Sequence, residues 1–291
     1  MHFRKHLIFT LMIALTGTAF SGCKTVSNVA EQATETTANV VLPPSQEAEL
    51  GKQLSAELER EVKLHPDPAV QAYIQELGNE IVKAAGSNVP EGITFTFKVI
   101  DDPDTVNAFA MPGGYIYFYS GLLLKAENTA EIIGVMGHEV AHVTERHVAE
   151  RLVKAYGLQA LLNMALGQNP GQVKQIVAGM LAQGYLLKYG RSQESESDKV
   201  GLSYVLRDGT YSPQGMVTFF QKLDEGGASV PTIVSSHPDP GERAKTLRSM
   251  IAKQSNVPSN LGKERFEELY PKFRASAATT TTTTDTTTTE Q

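Results

Sequence analysis

His138 and His142 stand four residues apart in Gly137-His138-Glu139-Val140-Ala141-His142. On a helix that spacing separates two side chains by about 40° around the axis and about 6 Å along it, so the imidazoles share a face. Two neutral imidazoles on one face can place two nitrogens on a single divalent metal. Glu139 is offset around the helix, so its carboxylate reaches a water on the metal rather than the metal itself. With only seven histidines in 291 residues, a chance match to His-Glu-x-x-His is on the order of one in a hundred. The flanks sharpen the point. Ile132, Ile133, Val135, Met136, Val140, Ala141 and Val143 make the stretch nearly all apolar. Three polar side chains inside a buried helix need a partner that offsets their desolvation, and a metal is one.

A catalytic zinc takes three protein ligands and keeps a fourth position for water. The third ligand must come from elsewhere in the chain. Gly190-Arg191-Ser192-Gln193-Glu194-Ser195-Glu196-Ser197-Asp198 opens a second helix downstream. Glu194 and Asp198 are four apart and share a face, whereas Glu196 points away. Acidic residues in a first turn also simply complement the helix dipole, so spacing alone leaves Glu196 and other acids open beside Glu194. With Glu194 on the metal, Asp198 sits one turn on, where it can accept a hydrogen bond from a ligating histidine and fix its tautomer. A purely structural zinc with no open position would leave Glu139 without a task.

Other elements must hold these residues. Asn128 and Glu131 have capping-box spacing and open the motif helix, which the apolar pattern carries to about Tyr156. Ahead of it, Leu50, Leu54, Leu58 and Val62 mark one amphipathic helix, and Val70, Tyr73, Ile74, Leu77 and Ile81 mark a second. Residues 94–100 alternate Phe95, Phe97 and Val99 with polar neighbours, a strand with one buried face. Pro112-Gly113-Gly114 turns the chain into a second strand, Tyr115 to Ser120. Leu158 to Leu187 holds two apolar helical stretches broken at Gln168-Asn169-Pro170-Gly171, which read as a core-facing hairpin rather than a membrane-facing or substrate-covering lid. His147, five residues past His142 on the same expected helix, is rotated away from the pair and reads as structural. His237 lies in a loop, Ser235-Ser236-His237-Pro238-Asp239-Pro240, between two helices. There it can stabilise an oxyanion, swing in as a fourth ligand that silences the metal, or serve simply as a loop or capping histidine.

Composition fits one globular domain, with 41% hydrophobic and 20% charged residues. The formal net charge of -6 and the lack of a Lys/Arg block argue against a nucleic-acid partner. Arg4 and Lys5 precede an apolar run, Leu7 to Leu15, and small residues follow to Cys23, the pattern of a secretory signal. Cys23 is the sole cysteine, so no intramolecular disulfide forms. Phe20-Ser21-Gly22-Cys23 resembles the bacterial lipobox, with Phe20 where Leu is usual; Lys24 after the cysteine then favours the outer membrane. The expected organisation is a lipoprotein signal peptide over residues 1–22 and a flexible tether from lipidated Cys23 over 23–42. The folded domain then spans 43–274, and a disordered Thr-rich tail 275–291.

The residues now on the page resemble a family. The chain is similar to the CAAX prenyl protease and HtpX-like group of zinc metallopeptidases, and most of all to its small periplasmic lipoprotein members. Three stretches carry the likeness: Asn107 to Gly114, His138 to His147, and Arg191 to Asp198. In that family the third ligand is the Glu four before an Asp, which is Glu194 here. Two positions depart from the pattern: Gly190 precedes Arg191 where Ser is usual, and Ser197 stands where Ala usually precedes the Asp. The multiple membrane spans of the prenyl proteases are absent, which argues against prenylated substrates.

The resemblance implies one Zn²⁺ per chain on His138, His142 and Glu194, with Glu139 as general base in metal-assisted amide hydrolysis. It also implies that the strand around Asn107, Ala108, Phe109 and Ala110, or Tyr115 to Ser120, borders the cleft and pairs with substrate backbone. The expected fold is α+β and mostly helical, a zincin-like domain with a small β-sheet beside the active-site helix. The expected role is cleavage of unfolded or misassembled envelope proteins in the bacterial periplasm. The rival reading is a zinc-stabilised periplasmic chaperone or assembly factor with little or latent proteolysis.

Overall fold

The computed structural model of the chain describes residues 42–183, 188–226 and 231–283. The signal segment, Cys23 and most of the tether lie outside these residues, as does the end of the Thr-rich tail. No described helix is long and apolar enough to cross a membrane.

The domain is mostly helical around one three-stranded sheet. Helices α1 (Pro44–Glu61) and α2 (Pro68–Ala85) come first, each entered through a proline, which suits the first helical turn. Strands β1 (Thr96–Ile100), β2 (Ala108–Met111) and β3 (Tyr115–Tyr119) follow. Their order is β1-β3-β2, with β1 parallel and β2 antiparallel to β3. β3 is therefore central, and β2 pairs along one edge only. The β2–β3 connection is Pro112–Gly114. Gly113 there has φ +77 and donates its N–H to Glu47 Oε1 at 3.3 Å, a left-handed turn packed against α1.

The sheet's two faces explain its apolar pattern. Phe97, Val99, Ala110, Ile116 and Phe118 face a core shared with α2. Phe109, Met111 and Tyr117 face a second core filled by Leu50, Leu54 and Leu58 of α1. That second core is closed by the helical hairpin α6 (Leu158–Ala165) and α7 (Pro170–Gln183), through Leu161, Met164, Ile176 and Val177. The hairpin faces the core as its pattern predicts. Each fully buried leucine contributes roughly 1.5–3 kcal/mol, so the α1 stripe is a main support of this side.

A short helix α3 (Ser120–Lys125) leads to α4 (Thr129–Thr144), which carries the His-Glu-x-x-His motif. Asn128 caps it, its Oδ1 accepting from the Glu131 N–H at 3.1 Å, while Glu131 accepts from Glu127 instead of returning the bond to Asn128. All sixteen residues of α4 are buried. The motif helix does not run unbroken to Tyr156. It stops at Thr144, turns through Glu145 and Arg146, and restarts as α5 (His147–Tyr156). Arg146 holds φ +64, a left-handed conformation that costs a non-glycine residue on the order of 1–3 kcal/mol. Its guanidinium offsets this by pairing with buried Glu47 Oε2 at 2.6 Å and donating to the Leu42 carbonyl at 2.9 Å. The chain break is thus locked to α1, which no helical pattern around residue 146 reveals.

The remaining described helices are α8 (Arg191–Asp208), α9 (Gln214–Gly226), α10 (Pro231–Ser236), α11 (Pro240–Ile251) and α12 (Lys263–Thr283). α8 crosses α4 at Gly201, where a Cβ would lie 2.6 Å from the Gly137 carbonyl and 2.8 Å from the His138 nitrogen. Only glycine allows the two backbones this close, and the approach brings Glu194 and Asp198 to the histidine face of α4.

Candidate metal centre

Four side chains converge where α4, α8 and the turn after α10 meet. One ligand atom from each of His138, His142, Glu194 and His237 lies within 4.8 Å of the others, and all four residues are buried. The Nε2 atoms of His138 and His142 face each other at 3.0 Å. Glu194 Oε1 is 3.4 Å from His142 Nε2, and its Oε2 is 3.6 Å from His138 Nε2. Two donors bound to one zinc at about 2.0–2.1 Å in a tetrahedron stand roughly 3.3 Å apart. Two nitrogens and a carboxylate at these separations therefore fit a zinc ion. Glu139 Oε2 and His237 Nε2 are among the buried atoms here that have no hydrogen-bond partner among the described residues. Buried orphans of this kind are rare unless an ion, water or ligand meets them.

His237 arrives from the turn that follows α10, its own N–H bonded to the Ile233 carbonyl at 2.7 Å. Its Nδ1 sits 3.0 Å from Glu194 Oε1 and 3.2 Å from His138 Nε2, and its Nε2 is 3.5 Å from Glu139 Oε1. Burial alone would lower the His237 pKa, but the facing carboxylates of Glu194 and Glu139 raise it above the usual value. Burial raises the pKa of Glu139, a shift that His237 and His138 partly oppose. His142 is held well below its ordinary value by burial and by the neighbouring His138. For Glu194, burial pulls upward, but His237, Arg243 and His138 together outweigh it and keep the carboxyl well below the usual range. Glu194 is therefore an anion over the working range, the state a metal ligand needs.

The outer contacts are as well defined as the inner ones. Asp198 Oδ1 lies 3.0 Å from His138 Nδ1. A deprotonated His138 Nε2 aimed at the metal leaves the proton on Nδ1, where Asp198 accepts it. Arg243, on α11, clamps both acids: Nη1 is 2.5 Å from Glu194 Oε2, while Nε and Nη2 bond the two Asp198 oxygens at 2.8 and 2.7 Å. Its guanidinium lies over Phe220 of α9, 4.2 Å from the ring centroid. The motif-based reading of the sequence misses Arg243. Yet Arg243, Leu247 and Ile251 are spaced four apart and all buried, so an arginine standing on an apolar stripe was the available signal.

His147 also corrects the sequence-based reading. It is not turned away from the pair: His147 Nδ1 is 3.0 Å from His142 Nδ1. The break at Arg146 resets the helical phase and brings it round. Ser197 Oγ is 3.0 Å from the same His142 nitrogen and 3.2 Å from His147 Nδ1. Glu196 Oε2, 3.4 Å from His147 Nε2, favours the tautomer in which His147 carries its proton there and accepts at Nδ1. Both His142 and His138 thus have partners that set their ring orientation. Ser197→Ala should weaken zinc binding by about tenfold, the lower end for an outer partner because His147 remains. Competition against a chromogenic chelator measures it, and an unchanged affinity would reduce Ser197 to packing.

Asn107 and the β2 residues Ala108, Phe109 and Ala110 are all buried, and the Ser236 hydroxyl donates to Asn107 Oδ1 at 3.4 Å. The segment bearing His237 is therefore tied to the start of the edge strand.

A buried His-His-Glu centre on two crossing helices, beside a small mixed sheet, defines a zincin-like metal site. The peptidase family M48 model matches residues 68–251, and the chain belongs to that family. The beta-barrel assembly-enhancing protease of Escherichia coli (strain K12) is 31% identical over 297 residues, covering 92% of this chain and 58% of that protein. Metalloprotease YcaL of the same strain is 35% identical over 178 residues, covering 60% of this chain and 68% of YcaL. The mitochondrial metalloendopeptidase OMA1 of Arabidopsis thaliana is 35% identical over 177 residues, 60% of this chain and 36% of that protein. The chain spans little more than half the length of the first of these relatives.

Proposed function

We propose that this chain is a zinc-dependent endopeptidase that cleaves unfolded or misassembled proteins of the bacterial envelope, tethered in the periplasm to the outer membrane through lipidated Cys23. The convergence of His138, His142 and Glu194 with the carboxylate of Glu139 beside them carries the reading. His138, His142 and Glu194 would hold the zinc, which would supply Lewis acidity to the attacking water and to the scissile carbonyl. Glu139 accepts the water's proton, its raised pKa matching it to a base that later returns the proton to the leaving amine. Asp198 and Arg243 keep His138 and Glu194 in place throughout. The substrate backbone pairs with the free edge of β2 along Asn107 to Ala110, which asks little of its sequence. The name of the E. coli relative, a protease that enhances β-barrel assembly, supports the choice of envelope proteins as substrates.

His237 fills the fourth position in this reading, where catalysis needs a water. Its place among the ligands favours a site that rests silent and opens when the loop yields, and it is also the one observation that favours a chaperone with latent proteolysis. His237→Ala should raise casein cleavage by the inverse of the fraction of chains already open, roughly tenfold if one in ten is open. An unchanged or lower rate would remove His237 as a plug.

A further inference from the structure

Tyr189 is the residue at the metal centre to which the peptidase reading assigns no task. It lies in the coil two residues ahead of α8, with 3% of its surface exposed. Its ring lies flat on His142, with centroids 3.6 Å apart and planes 16° from parallel, and it is 5.8 Å from the His237 ring. Its backbone N–H donates to the Ser236 carbonyl at 3.2 Å, so the coil bearing Tyr189 and the turn bearing His237 hold each other. The hydroxyl is a different matter. It is buried and has no hydrogen-bond partner among the described residues.

A buried phenol normally finds a partner, and one left unmet is destabilising. Stacking on His142 does not explain that cost, because phenylalanine would stack equally well without it. The orphan also keeps company: Glu139 Oε2 and His237 Nε2 likewise lack a hydrogen-bond partner among the described residues. A tyrosine hydroxyl ordinarily ionises only at about pH 10, so at neutral pH it is an O–H donor.

Peptide hydrolysis places growing negative charge on the carbonyl oxygen, and a pre-aimed donor there lowers the barrier. The guanidinium of Arg243 is already engaged by Glu194 and Asp198. His237 Nδ1 is engaged with Glu194. The Tyr189 hydroxyl is an uncommitted donor in this centre. We propose that Tyr189 is a catalytic residue whose hydroxyl donates a hydrogen bond to the carbonyl oxygen of the scissile peptide, most strongly when that oxygen is anionic. The proton stays on tyrosine and no bond to Tyr189 forms or breaks. This assignment rests on the peptidase reading above.

The test is Tyr189→Phe in the zinc-loaded full chain, which keeps the ring stack and removes one oxygen. On a fluorogenic casein-derived peptide, kcat should fall about 100-fold while KM stays within about twofold. Affinity for a phosphinic peptide, whose tetrahedral anion mimics the charged oxygen, should fall by a similar factor. Zinc content should not change, and Tm should hold or rise because a buried unmet hydroxyl is gone. If kcat and phosphinic affinity both stay within twofold of the parent, the proposal is overturned. A fall in zinc content or Tm along with kcat would also overturn it, showing a role confined to supporting His142. Should the parent cleave nothing, the phosphinic arm decides by itself. A zinc-loaded parent that neither cleaves nor binds the phosphinic peptide sinks the peptidase reading, and Tyr189's role with it.

Discussion

Glu194→Ala is expected to strip the chain of tightly bound zinc. Loss of an outer partner typically costs 10- to 100-fold in metal affinity, so loss of a direct ligand should exceed about 100-fold. Glu194 is also the carboxylate on which four nitrogen-bearing side chains converge. His237 Nδ1, Arg243 Nη1 and the two motif histidines all lie within 3.6 Å of one of its oxygens. Removing it weakens the affinity for a cation twice, by deleting a donor and by leaving Arg243's charge less compensated. Casein cleavage should vanish with the zinc. Glu196→Ala is the control, since Glu196 reaches only His147 at 3.4 Å and is 46% exposed on its side chain. Zinc retained by Glu194→Ala and lost by Glu196→Ala would reverse the ligand assignment.

Arg243→Leu should produce the largest loss of fold stability. Arg243 bridges two acids, Glu194 and Asp198, and all three are buried. Breaking a buried ion pair from one side costs about 3–5 kcal/mol, because the partner charges remain without compensation. For a domain of this size each kcal/mol lowers Tm by about 2–4 °C, so the midpoint should drop by roughly 6–20 °C. Excess zinc should restore part of the loss, since binding to the folded state alone stabilises it by mass action. Arg243→Lys should recover little, because one ammonium cannot reproduce two bonds to Asp198 together with one to Glu194. A Tm unmoved by Arg243→Leu would mean that the acids are protonated or solvated, against the geometry described.

Much of the centre is legible in the sequence, and what is missed has a common cause. The histidine pair on one helix face follows from helical period, which needs no tertiary information. Period leaves Glu194 open among other acids, and the family resemblance selects it. The crossing of α4 and α8 at Gly137 and Gly201 brings the histidines and Glu194 together, and its signal is only a glycine in each helix. His147 is misread because periodicity assumes an unbroken helix. Arg146 breaks it through an ion pair to Glu47, ninety-nine residues earlier in the chain. Tyr189 sits in a coil, where no periodicity applies. Arg243 lay within reach, as a charge on the buried stripe of α11. Interactions within one element were readable, and those fixed by contacts between distant elements were not.

The measurement that bears most directly on the central claim is bound zinc and casein cleavage for the full chain beside its Glu139→Gln variant. Glu139 is not among the four residues whose ligand atoms converge, so the amide should leave zinc at one per chain in both proteins. Losing the base should cut cleavage by about 10²- to 10⁴-fold, the usual contribution of a positioned general base. One zinc in each protein, with cleavage by the parent alone, is the predicted result. Equal cleavage by both proteins, or a folded parent that takes up no zinc when zinc is supplied, would contradict the account.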